Sequence, residues 1–196
     1  MTKPFSQACE NNKTPILEQL KDVLKSTKTV LEVGSGTGQH SVFFAKQLPH
    51  LQWYTSDRAV NHEGINLWHS EVNLTNLHAP LELDLNNEWP IDKVDAIYTA
   101  NTFHIVSWQL VERFFDGVKR HLNSEGKLCI YGPFKYQSKF TSSSNDDFNT
   151  FLTDRDPLSG IRDFEAVEQL AKQAGLTLIS DTAMPANNQL LVFKRQ

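Results

Sequence analysis

Glu32-Val33-Gly34-Ser35-Gly36-Thr37-Gly38 decides how this chain is read. It closes the β-branched, apolar run Thr29-Val30-Leu31-Glu32-Val33, which predicts a strand. It opens onto residues 38–48, where Val42, Phe43, Ala45 and Leu48 follow a helical pattern. Glycines permit positive φ and close approach of a ligand to the backbone. The following helix N-terminus offers N–H groups without intrahelical partners. A dinucleotide fingerprint would read G-x-G-x-x-G. Here the spacing is G-x-G-x-G, with an acid two positions before the first glycine. A pyrophosphate disfavours that acid, whereas a cationic amino-acid ligand tolerates it through its ammonium or ordered water. The bland alternative is a plain tight turn.

A nucleoside ligand at this turn calls for an acid about 20 residues on, at the end of the next strand, to bind ribose hydroxyls. Asp57 closes the run Leu51-Gln52-Trp53-Tyr54-Thr55-Ser56-Asp57 and meets that requirement. Alone, it would read as a helix cap. Asp84, with Leu85 beside it, follows the short strand Leu81-Glu82-Leu83. That position edges an adenine, whose exocyclic amine a carboxylate can accept from.

The rest of the chain alternates. Helices are predicted over 14–26, 61–72, 108–122, 145–154 and 163–174, and further strands over 94–100, 127–131, 176–180 and 189–194. Alternation implies α/β: a seven-stranded, mostly parallel sheet with helices on both faces. The link from Asp181 to Asn188 is short and non-helical, so the last strand is expected to be antiparallel. The crevice then lies at the strand carboxyl ends, where the winding reverses. A length of 196 residues suits one domain, 1–196, with 1–13 as an N-terminal lid segment and 136–160 as an insertion after strand five.

Composition narrows the function classes. Nineteen basic against 23 acidic residues give a net charge of -4, which disfavours bulk electrostatic nucleic-acid binding. Cys9 and Cys129 are too few and too far apart for a disulfide scaffold or a metal site, and the histidines are scattered, so no metal is expected. The N-terminus lacks a signal-peptide pattern and no apolar run is long enough for a bilayer. The cytoplasm is the expected location, with no membrane partner.

Further segments sharpen the reading: Asn12-Lys13 with Pro15-Ile16-Leu17, Gly36-Thr37-Gly38-Gln39-His40, Ser56-Asp57, Leu83-Asp84, and Asn101 with His104. Later come Tyr131-Gly132-Pro133-Phe134, Ser144-Asn145 with Phe148, and Met184-Pro185-Ala186-Asn187-Asn188. Together they resemble the methyltransferase-like protein 26 family, within the class I S-adenosylmethionine-dependent methyltransferases. The resemblance covers nearly the whole chain. It implies a Rossmann-like domain, S-adenosylmethionine as cofactor, and transfer of its methyl group to an acceptor that the family does not specify. The cofactor residues it implies are Asn12, Glu32, Gly34, Ser35, Gly36, Thr37, Gly38, Asp57, Asp84, Leu85 and Asn101.

Methyl transfer from a sulfonium needs alignment more than a fixed catalytic group. Asn101-Thr102-Phe103-His104 follows strand four, so His104 is a candidate base and Tyr131, at the end of strand five, a candidate acceptor contact. The insertion carries Asp146, Asp147, Asp154, Arg155 and Asp156, which points to a polar or cationic acceptor. A non-catalytic cofactor-binding module is the competing class. An NAD(P) oxidoreductase is disfavoured by the glycine spacing. If Asp57 holds ribose hydroxyls, Asp57→Ala should weaken S-adenosylhomocysteine binding at least about tenfold by calorimetry, since bonds to a charged acceptor contribute roughly 1.5–3 kcal/mol. Affinity within twofold of wild type would remove Asp57 from the site.

Overall fold

The computed structural model describes residues 2–196. The first half of the chain forms α1 (Gln7–Val23), β1 (Thr29–Val33), α2 (Gln39–Gln47), β2 (Gln52–Asp57), α3 (Ala59–His69), β3 (Leu77–Glu82) and β4 (Val94–Ala100). The second half forms α4 (Trp108–His121), β5 (Leu122–Gly132), β6 (Phe134–Tyr136), β7 (Lys139–Phe140), α5 (Ser143–Arg155), β8 (Arg162–Asp163), α6 (Phe164–Gln173), β9 (Leu176–Met184) and β10 (Asn188–Arg195). Seven strands make one sheet in the order β3-β2-β1-β4-β5-β10-β9. β10 runs antiparallel to both β5 and β9, as the short Asp181–Asn188 link required. The winding reverses between β1 and β4, so their carboxyl ends open a crevice.

Side chains alternate across the sheet, and both faces are covered. Ile97 and Leu128 point to a core with Phe114, Phe115, Val167 and Phe193. Their neighbours Tyr98 and Cys129 point to the opposite core with Ile16, Leu20, Phe44 and Trp53. Continuous apolar strands such as β4 and β5 are what burial on both faces demands. Cys9 and Cys129 are both free thiols, and burial pushes Cys129 up to about 12. Among the described residues no helix is long and apolar enough to cross a membrane.

The structure moves several boundaries. α1 begins at Gln7 rather than near residue 14, so residues 7–13 of the expected lid segment are helical. Ser6 caps it, its hydroxyl accepting from Cys9 N at 3.3 Å. The first two turns are polar, so apolar periodicity could not reveal them, and Pro15 within the helix suggests a false start. The residues before it are pinned across α3 and α2. Trp68 donates to the Pro4 carbonyl at 2.7 Å, and Ser6 N donates to Gln39 Oε1 at 2.6 Å.

β3 reaches back to Leu77 and runs through Pro80. A proline survives there because β3 is an edge strand, needing no ladder N–H on its outer side. Asn123–Gly126, between the helix expected over 108–122 and the strand expected over 127–131, forms the irregular start of β5, with Glu125 at φ 62. The 136–160 insertion is built rather than open. β6 pairs antiparallel with β7 and parallel with β8, making a small second sheet that carries α5. Strands of two or three residues leave no periodicity to read.

Candidate functional site

The crevice is built first by the glycine turn. Gly34 N and Ser35 N both donate to the Ser56 carbonyl, at 3.1 and 3.0 Å, which seats the turn on β2. Gly36 has φ +58, and a Cβ built on it would meet nothing within 4 Å, because that side faces the crevice. Gly38 differs. It has φ +86, and a Cβ there would sit 3.1 Å from the Ile65 backbone, so it serves the packing of α2 on α3. Gly34, Ser35, Gly36 and Thr37 line the crevice; Gly38 does not.

Asp57 closes the other side of the turn. Its Oδ2 accepts from Gly36 N at 2.7 Å, and its Oδ1 accepts from Arg58 N and Asn61 Nδ2, each at 2.7 Å. A carboxylate has about four acceptor positions. Three are occupied, which leaves about one for a ligand where two ribose hydroxyls were expected. Asn61 is one helical turn beyond Asp57, and that spacing was the signal by which sequence reading could have found it. Asp84 and Leu85 line the same end, with Asn86 N donating to Asp84 Oδ1 at 2.9 Å.

Glu32 lies at the base and is 2% exposed. Trp53 Nε1 donates to its Oε2 at 2.8 Å. Burial still wins over that bond and pushes the Glu32 carboxyl up to about 6.

Asn12, from α1, sits at the end of a buried relay. Tyr98 Oη lies 3.3 Å from His40 Nδ1, and His40 Nε2 lies 2.7 Å from Asn12 Oδ1. Burial lowers His40 to about 4, so its ring is neutral. An amide oxygen only accepts, so Nε2 carries the proton and Nδ1 accepts from Tyr98. This fixes the Asn12 amide with its NH2 turned outward. Burial raises the Tyr131 hydroxyl, and its hydrogen bond with Asn12 opposes the rise.

The other end is made by β4, β5 and the insertion. Asn101 adopts φ 56, tolerable for asparagine, and its N–H donates to the Tyr131 carbonyl at 2.9 Å. His104 is 5% exposed and meets the Phe148 ring edge-on at 5.4 Å. Burial first, then the charges of Arg162 and Arg155, lower His104 to about 4. Arg162 pins the loop that carries it, donating to the carbonyls of Phe103, Val106 and Leu158 at 3.0, 2.5 and 2.7 Å. Lys13, singled out by sequence, pairs instead with Glu10, and Lys135 pairs with Asp163; neither lines the crevice. Ile105 and Leu158 were missed, because exposed apolar residues in loops carry no pattern.

One crevice of about 1160 Å³ thus joins Asn12, Glu32, the glycine turn, Asp57, Asp84, Leu85, Asn101, His104 and Tyr131. That exceeds the roughly 300–1,000 Å³ of a single-ligand pocket. Among the described residues no three His, Cys, Asp or Glu side chains gather as metal ligands.

This sheet order with its antiparallel last strand is the Rossmann-like fold of methyltransferases. A protein-family model described as "Protein of unknown function (DUF938)" matches residues 3–195, and the chain belongs to that family. An O-methyltransferase family protein from Burkholderia thailandensis is similar with a TM-score of 0.84 at 14% identity, over 96% of this chain and 57% of that one. A putative O-methyltransferase from Nostoc punctiforme is similar with a TM-score of 0.83 at 15% identity, over 95% and 56%. Human N-acetylserotonin methyltransferase in complex with SAM gives 0.79 at 11% identity, over 96% and 53%. The chain thus spans little more than half the length of these proteins, and the likeness is one of fold.

Glu32 gives the site a pH signature. Its folded pKa of about 6 lies above the ordinary 4.5, so its protonated form is favoured by folding. That stabilisation is complete below the ordinary value and is lost as pH rises through about 6. Between pH 5 and pH 8 the loss is about 1 kcal/mol. Urea denaturation should show Glu32→Gln gaining about that much on wild type from pH 5 to pH 8, His40 and His104 being common to both. Parallel pH profiles would mean that Glu32 is not buried as described.

Proposed function

We propose that this chain is an S-adenosylmethionine-dependent methyltransferase, within a single domain that includes the 136–160 insertion. The observation that carries the reading is the open face of Gly36 at the winding reversal, with Glu32, Asp57 and Asp84 spaced along the same crevice. A Cβ at Gly36 would enter the space a ligand needs. The chemistry of the acids suits the group: Glu32 toward an ammonium, Asp57 toward a ribose hydroxyl, Asp84 toward an adenine amine. Asn12, Asn101, Ser35, Thr37 and Leu85 complete the lining. Gly34 and Gly38 shape the turn. When bound, the cofactor supplies an activated methyl group.

The chain's own residues align an acceptor and receive its proton. Neutral His104 borders the crevice and is free to accept a hydrogen bond from a bound acceptor. Tyr131, its hydroxyl bonded to Asn12 at the end of the Asn12–His40–Tyr98 relay, lines the same crevice. The O-methyltransferases similar in fold and the finer resemblance to methyltransferase-like protein 26 support this reading. Action in the cytoplasm belongs to the same proposal.

One observation favours a second reading, a cofactor-binding module without turnover. A histidine lowered to about 4 is a weak base, so an acceptor that must lose a strongly held proton would receive little help. Calorimetry tests the common part. Wild type should bind S-adenosylhomocysteine and not NAD. Gly36→Val should abolish that binding while circular dichroism stays unchanged. Binding of NAD, or unchanged affinity in Gly36→Val, would refute the assignment of this turn.

A further inference from the structure

Large apolar side chains are unevenly exposed. Of the seven that stand out among the described residues, four gather at one place: Ile105 at 45%, Phe148 at 36%, Phe151 at 59% and Leu158 at 64%. They surround the mouth of the crevice at its β4–β5 end. Ile105, Phe148 and Leu158 line the crevice itself. Phe148 and Phe151 stack at 6.4 Å between centroids, and Phe148 meets His104. Ser159 Oγ donates to the Ile105 carbonyl at 2.7 Å, and Arg162 grips the Leu158 carbonyl, so this rim is held in place.

Charged side chains are few at this end, and the neutral polar ones that line it are largely engaged within the protein: Thr102 donates to the Ala100 carbonyl, Asn145 to that of Asn187 and Asn188 to that of Pro185. Asp146, Asp147, Asp154 and Arg155 of the insertion face solvent. Only Asp156 lines the crevice, and its Oδ1 already accepts from Leu158 N at 3.0 Å. The Arg162 head is used on three backbone carbonyls. His104 is the exception. It is nine-tenths buried, it borders the crevice, and its ring has no hydrogen-bond partner among the described residues. A cation here would meet the nearby Arg162 guanidinium, and the one carboxylate lining this end, Asp156, is partly engaged by Leu158 N. An apolar body would cover the exposed rim, and one hydrogen-bond donor would satisfy His104.

Resting on the methyltransferase reading, we propose that this end of the crevice is the acceptor subsite and takes an uncharged, largely apolar small molecule. Its body lies on Ile105, Phe148 and Leu158, and its single hydrogen-bond donor points to His104. This departs from the polar or cationic acceptor that the charges of the insertion suggested.

Calorimetry on the full chain tests it with 2-naphthol, 2-naphthoate, 2-naphthylmethylammonium and 2-methoxynaphthalene, with and without S-adenosylhomocysteine. We expect 2-naphthol to bind at least about tenfold more tightly than either charged probe. Phe148→Ser and Leu158→Ser should each weaken it at least about tenfold, with S-adenosylhomocysteine affinity within twofold of wild type. Both side chains are exposed, so these variants should fold. His104→Ala should erase the preference for 2-naphthol over 2-methoxynaphthalene, which has no donor. Equal or tighter binding of a charged probe, or naphthol binding indifferent to the serine variants, overturns the proposal. So does a wild-type dimer that the serine variants dissolve, because a second copy would then cover the rim. Failure of S-adenosylhomocysteine to bind wild type would sink the methyltransferase reading alone, since the naphthol arms need no cofactor.

Discussion

The hydrogen bond from Gly36 N to the Asp57 carboxylate holds the crevice open. It ties the turn after β1 to the end of β2, and Asn61 and Arg58 N hold the same carboxylate from α3. A turn with positive φ at Gly36 has no side chain to brace it, so its shape must come from such a tie. A charge-assisted bond to a backbone N–H is among the stronger means available. Everything lining the first half of the crevice is placed relative to this join. Glu32 lies behind the turn, Asp84 beside it, and α1 is docked against it through Gln39 and Ser6.

The two halves of the crevice differ in physical character. The β1–β3 half is acidic and rich in backbone N–H groups, suited to a polar ligand with cationic and hydroxyl features. The β4–β5 half is apolar at its rim, with neutral histidine and tyrosine at its base. His40 and His104 are both neutral through burial, but they are used differently. His40 is saturated by Tyr98 and Asn12 and transmits position; His104 has no hydrogen-bond partner among the described residues and borders the crevice. Asn101 also lines the crevice, its left-handed backbone held by the Tyr131 carbonyl.

Elements with strong local signals were legible in the sequence. The apolar runs of β1, β4 and β5, the stripe of α4 and the glycine turn each follow one rule of periodicity or conformational freedom. The order of those elements then fixes the crevice at the β1–β4 reversal. Asp57 was found by position, but its role in bracing the turn was not, because hydrogen bonds across 21 residues leave no sequence trace. The polar start of α1, the proline within β3 and the two-residue strands β7 and β8 were hidden for the same reason: tertiary contact, not local pattern, creates them. The insertion misled most. Its charges were read as facing a ligand, whereas Asp146, Asp147 and Asp154 are exposed and α5 lines the crevice with Ser144, Asn145 and Phe148.

We propose that one crevice holds a cofactor in one half and an acceptor in the other. Backbone amide chemical shifts of the isotope-labelled protein, titrated with S-adenosylhomocysteine, test it directly. The largest changes are expected at Gly34–Thr37, Asp57–Arg58 and Asp84–Asn86, with the amides of Phe148, Phe151 and Leu158 unmoved. The largest changes at the Phe148–Leu158 rim, or none at the glycine turn at saturating ligand, would contradict it.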